Sequence, residues 1–385
     1  MNLKKICVII TTRGNYAKLK SVIQNINSDP GLELQLIVGG GAVLEKYGDI
    51  VGSMDGLEVP IDRVIHFLVE GENPETMSKS AGLAIIDFTT AFVNLRPDVV
   101  MVIADRFECL AISIAASYMN IPLVHLEGGK ISGSIDESIR HAITKLSHLH
   151  FPATEKSAKR IERMGEDPGT VFPVGSTSLD VIKELDLSDL TPVMELQKTA
   201  GVGIEVDLSQ PYLVVIQHPV TTEYEENLLN INETIAAIDS LSMPTIWIWP
   251  NMDAGSDAIS KGIRIFRELK KPDYAHFYKS LPIEYFAPLL KNCACMVGNS
   301  SCGIREATFL GVPSVNIGSR QFGRERGVNV KDVGYDADEI KKAILQQLDH
   351  GPYESDLIYG DGNAGAQIVS ILHDFKFTIQ KKMTY

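Results

Sequence analysis

The sequence lacks most of the features that would announce a function. Among its 385 residues are five cysteines, Cys7, Cys109, Cys293, Cys295 and Cys302, too few and too irregularly spaced for a disulfide framework. Cys293 and Cys295 are separated by one residue, which is not the C-x-x-C of a zinc ribbon, and no H-E-x-x-H occurs. The thiols are expected to be buried and free, and neither a metal nor a cofactor is expected. No apolar run approaches the ~20 residues of a membrane span. Met1-Asn2-Leu3-Lys4 has neither the apolar core nor the small-residue cleavage site of a signal peptide. A membrane is therefore excluded as partner, and the cytoplasm is the expected compartment. Positive charge is scarce too: 36 Lys and Arg against 49 Asp and Glu leave a net charge of −13. That excludes a general nucleic-acid surface and confines any anion site to a local pocket.

What is present is a steady alternation of apolar runs and helical patterns. Strands are expected at Lys5–Ile9, Leu34–Gly39, Asp98–Ile103, Ile121–Leu126 and Val171–Val174, then at Tyr212–Gln217, Thr245–Trp249, Cys293–Val297 and Ser314–Ile317. Runs apolar on both faces and separated by helices imply parallel sheets with right-handed crossovers. The length suits two domains of roughly 150 residues or more. The fold class expected is therefore α/β, two Rossmann-like doubly wound domains with a cleft between them. Their expected bounds are 1–184 for the first, 185–205 for a linker and 206–365 for the second, with 366–385 a last helix packing back on the first domain.

Chemistry is expected where strands end, because ligands of doubly wound sheets sit at strand C-termini. The first strand runs into Ile10-Thr-Thr-Arg13-Gly-Asn-Tyr16, ahead of a helix expected over Asn15–Asn27. This loop has neither G-x-G-x-x-G nor a P-loop pattern, so Arg13 needs an anion from elsewhere. Asp105 in Ala104-Asp105-Arg106-Phe107-Glu108 follows a strand and stands either in the cleft or as cap of the next helix. Glu127 in His125-Leu-Glu-Gly-Gly129 has no partner in its own segment that would neutralise it, beside glycines that let the backbone approach a ligand. In Ser134-Ile-Asp136-Glu137 the S-x-x-E pattern accounts for Glu137 as a capping box and leaves Asp136 for acid–base work. Arg140 and Lys145 read either as functional or as solvated helix charges. Three carboxylates from neighbouring elements can push their pKa values apart, so that one donates and another accepts a proton.

In the second half, His218 ends a strand where it can hydrogen-bond or charge-pair with phosphate. The polar turn Trp249-Pro-Asn251-Met-Asp253-Ala-Gly-Ser256 ends the next. Gly298-Asn-Ser300-Ser301-Cys-Gly303 is a small-residue loop opening a short helix, suited to cradle a diphosphate without a metal, with Glu306 placed to accept ribose hydroxyls. Arg320, Arg324 and Arg326 add local positive charge.

The ordered set ADRFE, HLEGG, GSIDESIRHAITKLSHLHF, QHPVTT, WPNMDAGS, GNSSCGIREA and SRQFGRERGVNV resembles the hydrolysing UDP-N-acetylglucosamine 2-epimerases, including the epimerase domain of the bifunctional animal enzyme of sialic acid synthesis. The likeness runs from about Lys5 to Ala366 and implies a glycosyltransferase-B-type fold. It also implies the reaction, UDP-GlcNAc plus water giving N-acetylmannosamine and UDP through 2-acetamidoglucal. By resemblance, Asp105, Glu127 and Asp136 are the acid–base carboxylates and His218 and Arg13 act on the phosphate side. Arg106, Asn251, Asp253, Ser300, Ser301, Glu306 and Arg320 join Arg13 and His218 in binding the UDP-sugar. The expected partners are thus a UDP-sugar and UDP, and the expected assembly is a homodimer or homotetramer. Where the family loop reads R-A-D-Y-S/G, this chain has Arg13-Gly-Asn15-Tyr-Ala17, so an alternative hexose is a 2,4-diacetamido-2,4,6-trideoxy sugar of the legionaminic acid route. A non-hydrolysing epimerase is the other alternative, disfavoured by the RHAITKL and GNSSCG segments.

Overall fold

A computed structural model of the protein describes residues 3–44, 59–71, 73–131, 135–250 and 255–384, without the side chains of Arg13, Thr221 and Thr222. The chain forms two compact units, Met1–Lys183 with Tyr359–Tyr385, and Glu184–Ile358.

In the first unit β1 (Lys4–Ile10), β2 (Leu32–Gly39), β3 (Arg63–Ile65), β4 (Val99–Ile103), β5 (Leu123–Leu126) and β6 (Leu149–Phe151) make a parallel sheet of order β3-β2-β1-β4-β5-β6. The helices are α1 (Arg13–Ser28), α2 (Pro74–Leu95), α3 (Phe107–Tyr118), α4 (Ile135–Leu146), α5 (Glu155–Arg163) and α6 (Ser178–Glu184). Strand β1 shows why its sequence is apolar throughout. Ile6, Val8 and Ile10 enter one core with Leu19, Val22, Ile23 and Ile26 of α1, while Cys7 and Ile9 enter a second core with Phe88, Phe92 and Ile112. Alternate residues thus serve opposite faces, and both faces are covered.

The chain returns to this unit at Tyr359, ahead of the boundary at 366 that the sequence suggests. Two glycine backbones make the return: a Cβ on Gly175 would lie 2.8 Å from Gly360 Cα, and Ser176 N donates to Tyr359 O at 2.7 Å. The buried Asp180 then receives the backbone N–H groups of Ala364 (3.0 Å) and Gly365 (2.6 Å) and the Ser21 hydroxyl (2.6 Å). The Ala364 and Gly365 donors open the last helix, whose Ile368 and Leu372 complete the α1 core.

The second unit holds α7 (Thr191–Thr199), β7 (Val202–Gly203), β8 (Leu213–Ile216), α8 (Asn227–Leu241), β9 (Thr245–Ile248), α9 (Ser256–Ile265), β10 (Ala275–Tyr278), α10 (Ile283–Asn292), β11 (Cys295–Gly298), α11 (Glu306–Leu310), β12 (Ser314–Ile317), β13 (Val330–Val333) and α12 (Ala337–His350). The last helix of the chain, α13 (Ala364–Asp374), belongs to the first unit. The second sheet has the order β13-β12-β11-β8-β9-β10-β7, parallel except for β7, which runs antiparallel along β10. Strands β8 to β13 repeat the winding of the first sheet. The stretch 185–205, expected as a linker, contains α7 and the edge strand β7.

Several local readings change. The helix expected from Asn15 begins at Arg13, because Thr12 caps it by accepting from Asn15 N at 3.2 Å. Val171–Val174 is no strand: Val171 makes a single bridge to His150, and β6 takes the sheet edge. Strands β3, β7 and β13 are too short and exposed to carry an apolar signature, and in β6 and β10 a histidine interrupts the short apolar run. Ser134, Asn251 and Asp253 lie outside the described residues. Among the described residues no helix is long and apolar enough to cross a membrane.

Asp180→Ala leaves two backbone donors and a hydroxyl without their acceptor, and should cost about 3 kcal/mol in the urea unfolding of the first unit. A loss under 1 kcal/mol would show that apolar packing alone docks α13.

Candidate active site

A doubly wound sheet splits where consecutive strands leave in opposite directions, and the backbone opens there beyond the strand C-termini. In the first unit the split lies between β1 and β4. β1 delivers the Thr11–Arg13 turn; Arg13 is the first residue of α1, and its side chain lies outside the described set.

At the end of β4, Ala104 takes a left-handed backbone (φ 66°) and turns the chain into Asp105. Helix α3 starts only at Phe107, with Arg106 as its cap residue, so Asp105 is not a helix cap. Its carboxylate instead pairs with Arg140 of α4, a guanidinium only 3% exposed beside a carboxylate that is 25% exposed. Arg140 also donates to Lys130 O at 2.6 Å, so the reading of it as a solvated charge falls. The same holds for Lys145, which pairs with the buried Glu166 at 2.6 Å.

Glu127 follows β5 with φ 59° and is buried. Lys18 (2.7 Å) and Lys130 (2.8 Å) both reach Oε2, and Ser176 Oγ donates to Oε1 at 3.0 Å. The expectation that nothing in its own segment neutralises Glu127 is overturned by Lys130, three residues on. Two ammonium groups and a hydroxyl offset the cost of burying its charge. The glycines beside it also serve a different end from the one expected. A Cβ on Gly128 would press on His125 Nδ1 (3.0 Å) and Thr144 Oγ1 (3.1 Å), and one on Gly129 would collide with Ser157 O. Both positions are small because the protein's own atoms occupy the space.

Asp136 sits exposed in the first turn of α4, near enough to Arg106 to act on its charge. Arg106 forks onto the buried Glu108 at 3.1–3.2 Å. Burial works against the guanidinium charge, but Glu108 outweighs it and holds Arg106 above its ordinary value. Glu137 faces His141 at 3.7 Å.

In the second unit the split lies between β8 and β11, and His218 and Asn299 follow those strands. Asn299 is fully buried and clamps the His218 backbone from both sides, accepting from His218 N at 2.7 Å and donating to His218 O at 2.8 Å. Its own carbonyl accepts from Arg320 (3.2 Å) and Gln321 (2.7 Å). Burial, with Arg320 adding to it, lowers the His218 imidazole to about 3. Burial and Arg320 thus favour the neutral imidazole.

The serine loop opens a 3-10 turn, Ser301–Gly303, before α11. Helix α11 has five residues, so it carries little macrodipole. The N–H groups of Gly303, Ile304 and Arg305 close turns onto Ser300 and Ser301 carbonyls; among the described residues those of Ser300 and Ser301 make no such turn. The loop thus presents these two serines rather than a helix end. Glu306 Oε1 is held by its neighbour Arg305 at 2.6 and 2.9 Å, which competes with the ribose role expected of it. Burial pushes the Cys109 and Cys302 thiols up to about 12, so neither offers a thiolate. All five cysteines are free and buried.

Sequence reasoning passed over Lys18, Lys130, Ser176, His125 and Asn299. Lys130 lay in plain view three residues from Glu127, whereas nothing local links Ser176 to a carboxylate 49 residues away.

Two doubly wound units, each with its polar residues gathered at the split of its sheet, define an α/β protein of the glycosyltransferase-B type. A model of the UDP-N-acetylglucosamine 2-epimerase family matches residues 24–373. A relative from Legionella pneumophila, described as a UDP-N,N'-diacetylbacillosamine 2-epimerase (hydrolyzing), is 33% identical over 96% of this chain and 96% of its own length. A UDP-N-acetylglucosamine 2-epimerase from Neisseria meningitidis is 34% identical over 94% of this chain and 92% of its own. The crystal structure of a Neisseria meningitidis UDP-GlcNAc 2-epimerase bound to UDP-GlcNAc superposes with a TM-score of 0.79 at 18% identity, covering 96% of this chain and 99% of that one, which is a likeness of fold. The chain belongs to the UDP-N-acetylglucosamine 2-epimerase family.

The depressed His218 value carries a stability consequence. An unfolded imidazole takes up its proton near 6.5 and the folded one only near 3, so the stability from keeping it neutral is whole above 6.5 and drains as pH falls. Urea unfolding of the second unit should lose about 1 kcal/mol between pH 7 and pH 5.5. His218→Asn should flatten that slope; an unchanged slope would assign it to other groups.

Proposed function

We propose that the protein is a hydrolysing 2-epimerase of a UDP-2-acetamido hexose, converting UDP-GlcNAc and water into N-acetylmannosamine and UDP. The observation carrying this reading is the pair of carboxylates held on cations at the split of the first sheet, Asp105 on Arg140 and Glu127 on Lys18 and Lys130. Relatives named as hydrolyzing enzymes support it.

The C2 proton of the sugar is weakly acidic, so elimination is led by cleavage of the C1–O bond. UDP departs with the bonding pair, an oxocarbenium-like state acidifies C2, and a carboxylate takes that proton to leave 2-acetamidoglucal. Water then adds its oxygen to C1 while a proton reaches C2 from the opposite face, inverting that centre. Asp105, Glu127 and Asp136 carry these proton transfers. Glu127, paired with two cations, suits the base or the stabiliser of positive charge at C1. Arg13, His218, Ser300, Ser301 and Arg320 stabilise charge on the departing diphosphate. Arg106, Asn251, Asp253 and Glu306 complete the nucleotide-sugar contacts, and no cofactor takes part.

A second reading replaces the hexose by the 2,4-diacetamido-2,4,6-trideoxy sugar of UDP-N,N'-diacetylbacillosamine. The Legionella relative and Asn15 favour it. Asn15 is, however, buried and donates to Thr11 Oγ1 at 3.0 Å, which gives its amide a structural use. Mass spectrometry of products from a panel of UDP-sugars, without any acceptor, separates the readings: free UDP with a C2-inverted hexosamine supports hydrolysis, a UDP-linked epimer points to the non-hydrolysing reaction, and no reaction contradicts both.

Asp105→Asn and Glu127→Gln should each slow turnover ~100-fold or more while UDP affinity changes little. Near-normal hexosamine release by either variant would remove that residue from the acid–base set. Arg13→Lys keeps the charge and loses the planar fork, so turnover should fall further than UDP affinity does; equal losses would make Arg13 a binding residue alone.

A further inference from the structure

The buried histidine beneath the first site has been given no part. His125 lies in β5, fully buried, two residues before Glu127. Its Nε2 is 2.8 Å from the Ala104 carbonyl oxygen and its Nδ1 is 3.1 Å from Thr144 Oγ1. A carbonyl can only accept, so the proton sits on Nε2, and Nδ1 accepts from the threonine hydroxyl.

We propose that His125 is a positioning residue for the acid–base carboxylates, aiming Asp105 through the Ala104 carbonyl and setting Arg140 through Thr144; this rests on the reaction proposed above. The Ala104 carbonyl belongs to the peptide plane that carries Asp105 N, and holding that oxygen fixes where the Asp105 Cα points. Ala104 needs holding, since a left-handed backbone is disfavoured at a residue with a Cβ. Thr144 stands one turn beyond Arg140 on the same face of α4, so anchoring its hydroxyl anchors the register of the guanidinium that pairs with Asp105. Gly128 fits the same purpose, because any side chain there would press on both partners of the Nδ1 bond. One imidazole thereby ties the ends of β4 and β5 to α4. A leucine in its place would fill much of the space but orphan the Ala104 carbonyl and the Thr144 hydroxyl. Burial lowers His125 to about 3, so the donor and acceptor roles persist across the working pH range.

The test compares His125→Gln, whose amide can still donate to the Ala104 carbonyl, with His125→Leu and with Thr144→Val, measuring kcat, KM, UDP affinity and the thermal midpoint. Misplacing a reacting group by about 1 Å costs on the order of 100-fold in rate. His125→Leu should therefore lose ~100-fold in kcat with KM and UDP affinity within about twofold of normal, His125→Gln should recover to within about fivefold, and Thr144→Val should lose several-fold. A leucine variant turning over normally, or glutamine and leucine variants equally impaired while folded, would overturn the proposal. If the leucine variant fails to fold, unchanged kcat in Thr144→Val overturns it. UDP release by the unaltered enzyme is measured first, and its absence with every UDP-2-acetamido sugar defeats the proposed reaction instead. In that case the readout is the Asp105 carboxyl carbon resonance in aspartate-labelled protein: a shift in the leucine variant that the glutamine variant reverses supports the aiming role, and no shift overturns it.

Discussion

A strand buried on both faces has no place for a charged side chain until it ends. Each central strand of the first unit sends alternate residues into two cores, as β1 does with Ile6, Val8 and Ile10 on one side and Cys7 and Ile9 on the other. Charge is thereby driven to the strand C-termini, and the winding of each sheet leaves one gap where those termini lie uncovered. Asp105, Glu127, His218 and Asn299 all lie within two residues of a strand end for this reason. The alternation that makes the fold also makes the sites.

The second constraint is electrostatic. A chain of net charge −13 sets cations against the carboxylates at the strand ends of its first unit. Arg140 goes to Asp105, Lys18 and Lys130 go to Glu127, and Arg106 goes to Glu108. A buried carboxylate without such partners would take up a proton or destabilise the fold. With them the charge is offset where the strand ends. His218 meets the opposite demand: burial, with Arg320 beside it, disfavours its charged form.

Much of the architecture was legible in the chain. Apolar runs at β1, β2, β4, β5, β8, β9, β11 and β12 announce two-sided burial by composition alone, and polar residues directly after them mark the sites. Strands β3, β7 and β13 were not legible because they are short and exposed, and β6 and β10 because a histidine breaks their brief apolar run. The start of α1 at Arg13 turned on a single cap, Thr12, whose hydroxyl serves the N–H three residues on.

The sequence by itself determined the α/β class, the doubly wound rhythm and the residue types at each strand end, because periodicity and composition act within a few residues. Tertiary structure decided which charges meet. Nothing near Asp105 names Arg140 as its partner, and nothing near Glu127 names Lys18 or Ser176; those pairs form because three adjacent strands and the helices between them bring distant residues to one edge. It also decided that Gly128 makes room for the His125–Thr144 bond, and that Asp180 receives the first N–H groups of α13. Local sequence sets what each element can offer, and only the closed sheet sets the distances over which those offers become ion pairs and hydrogen bonds.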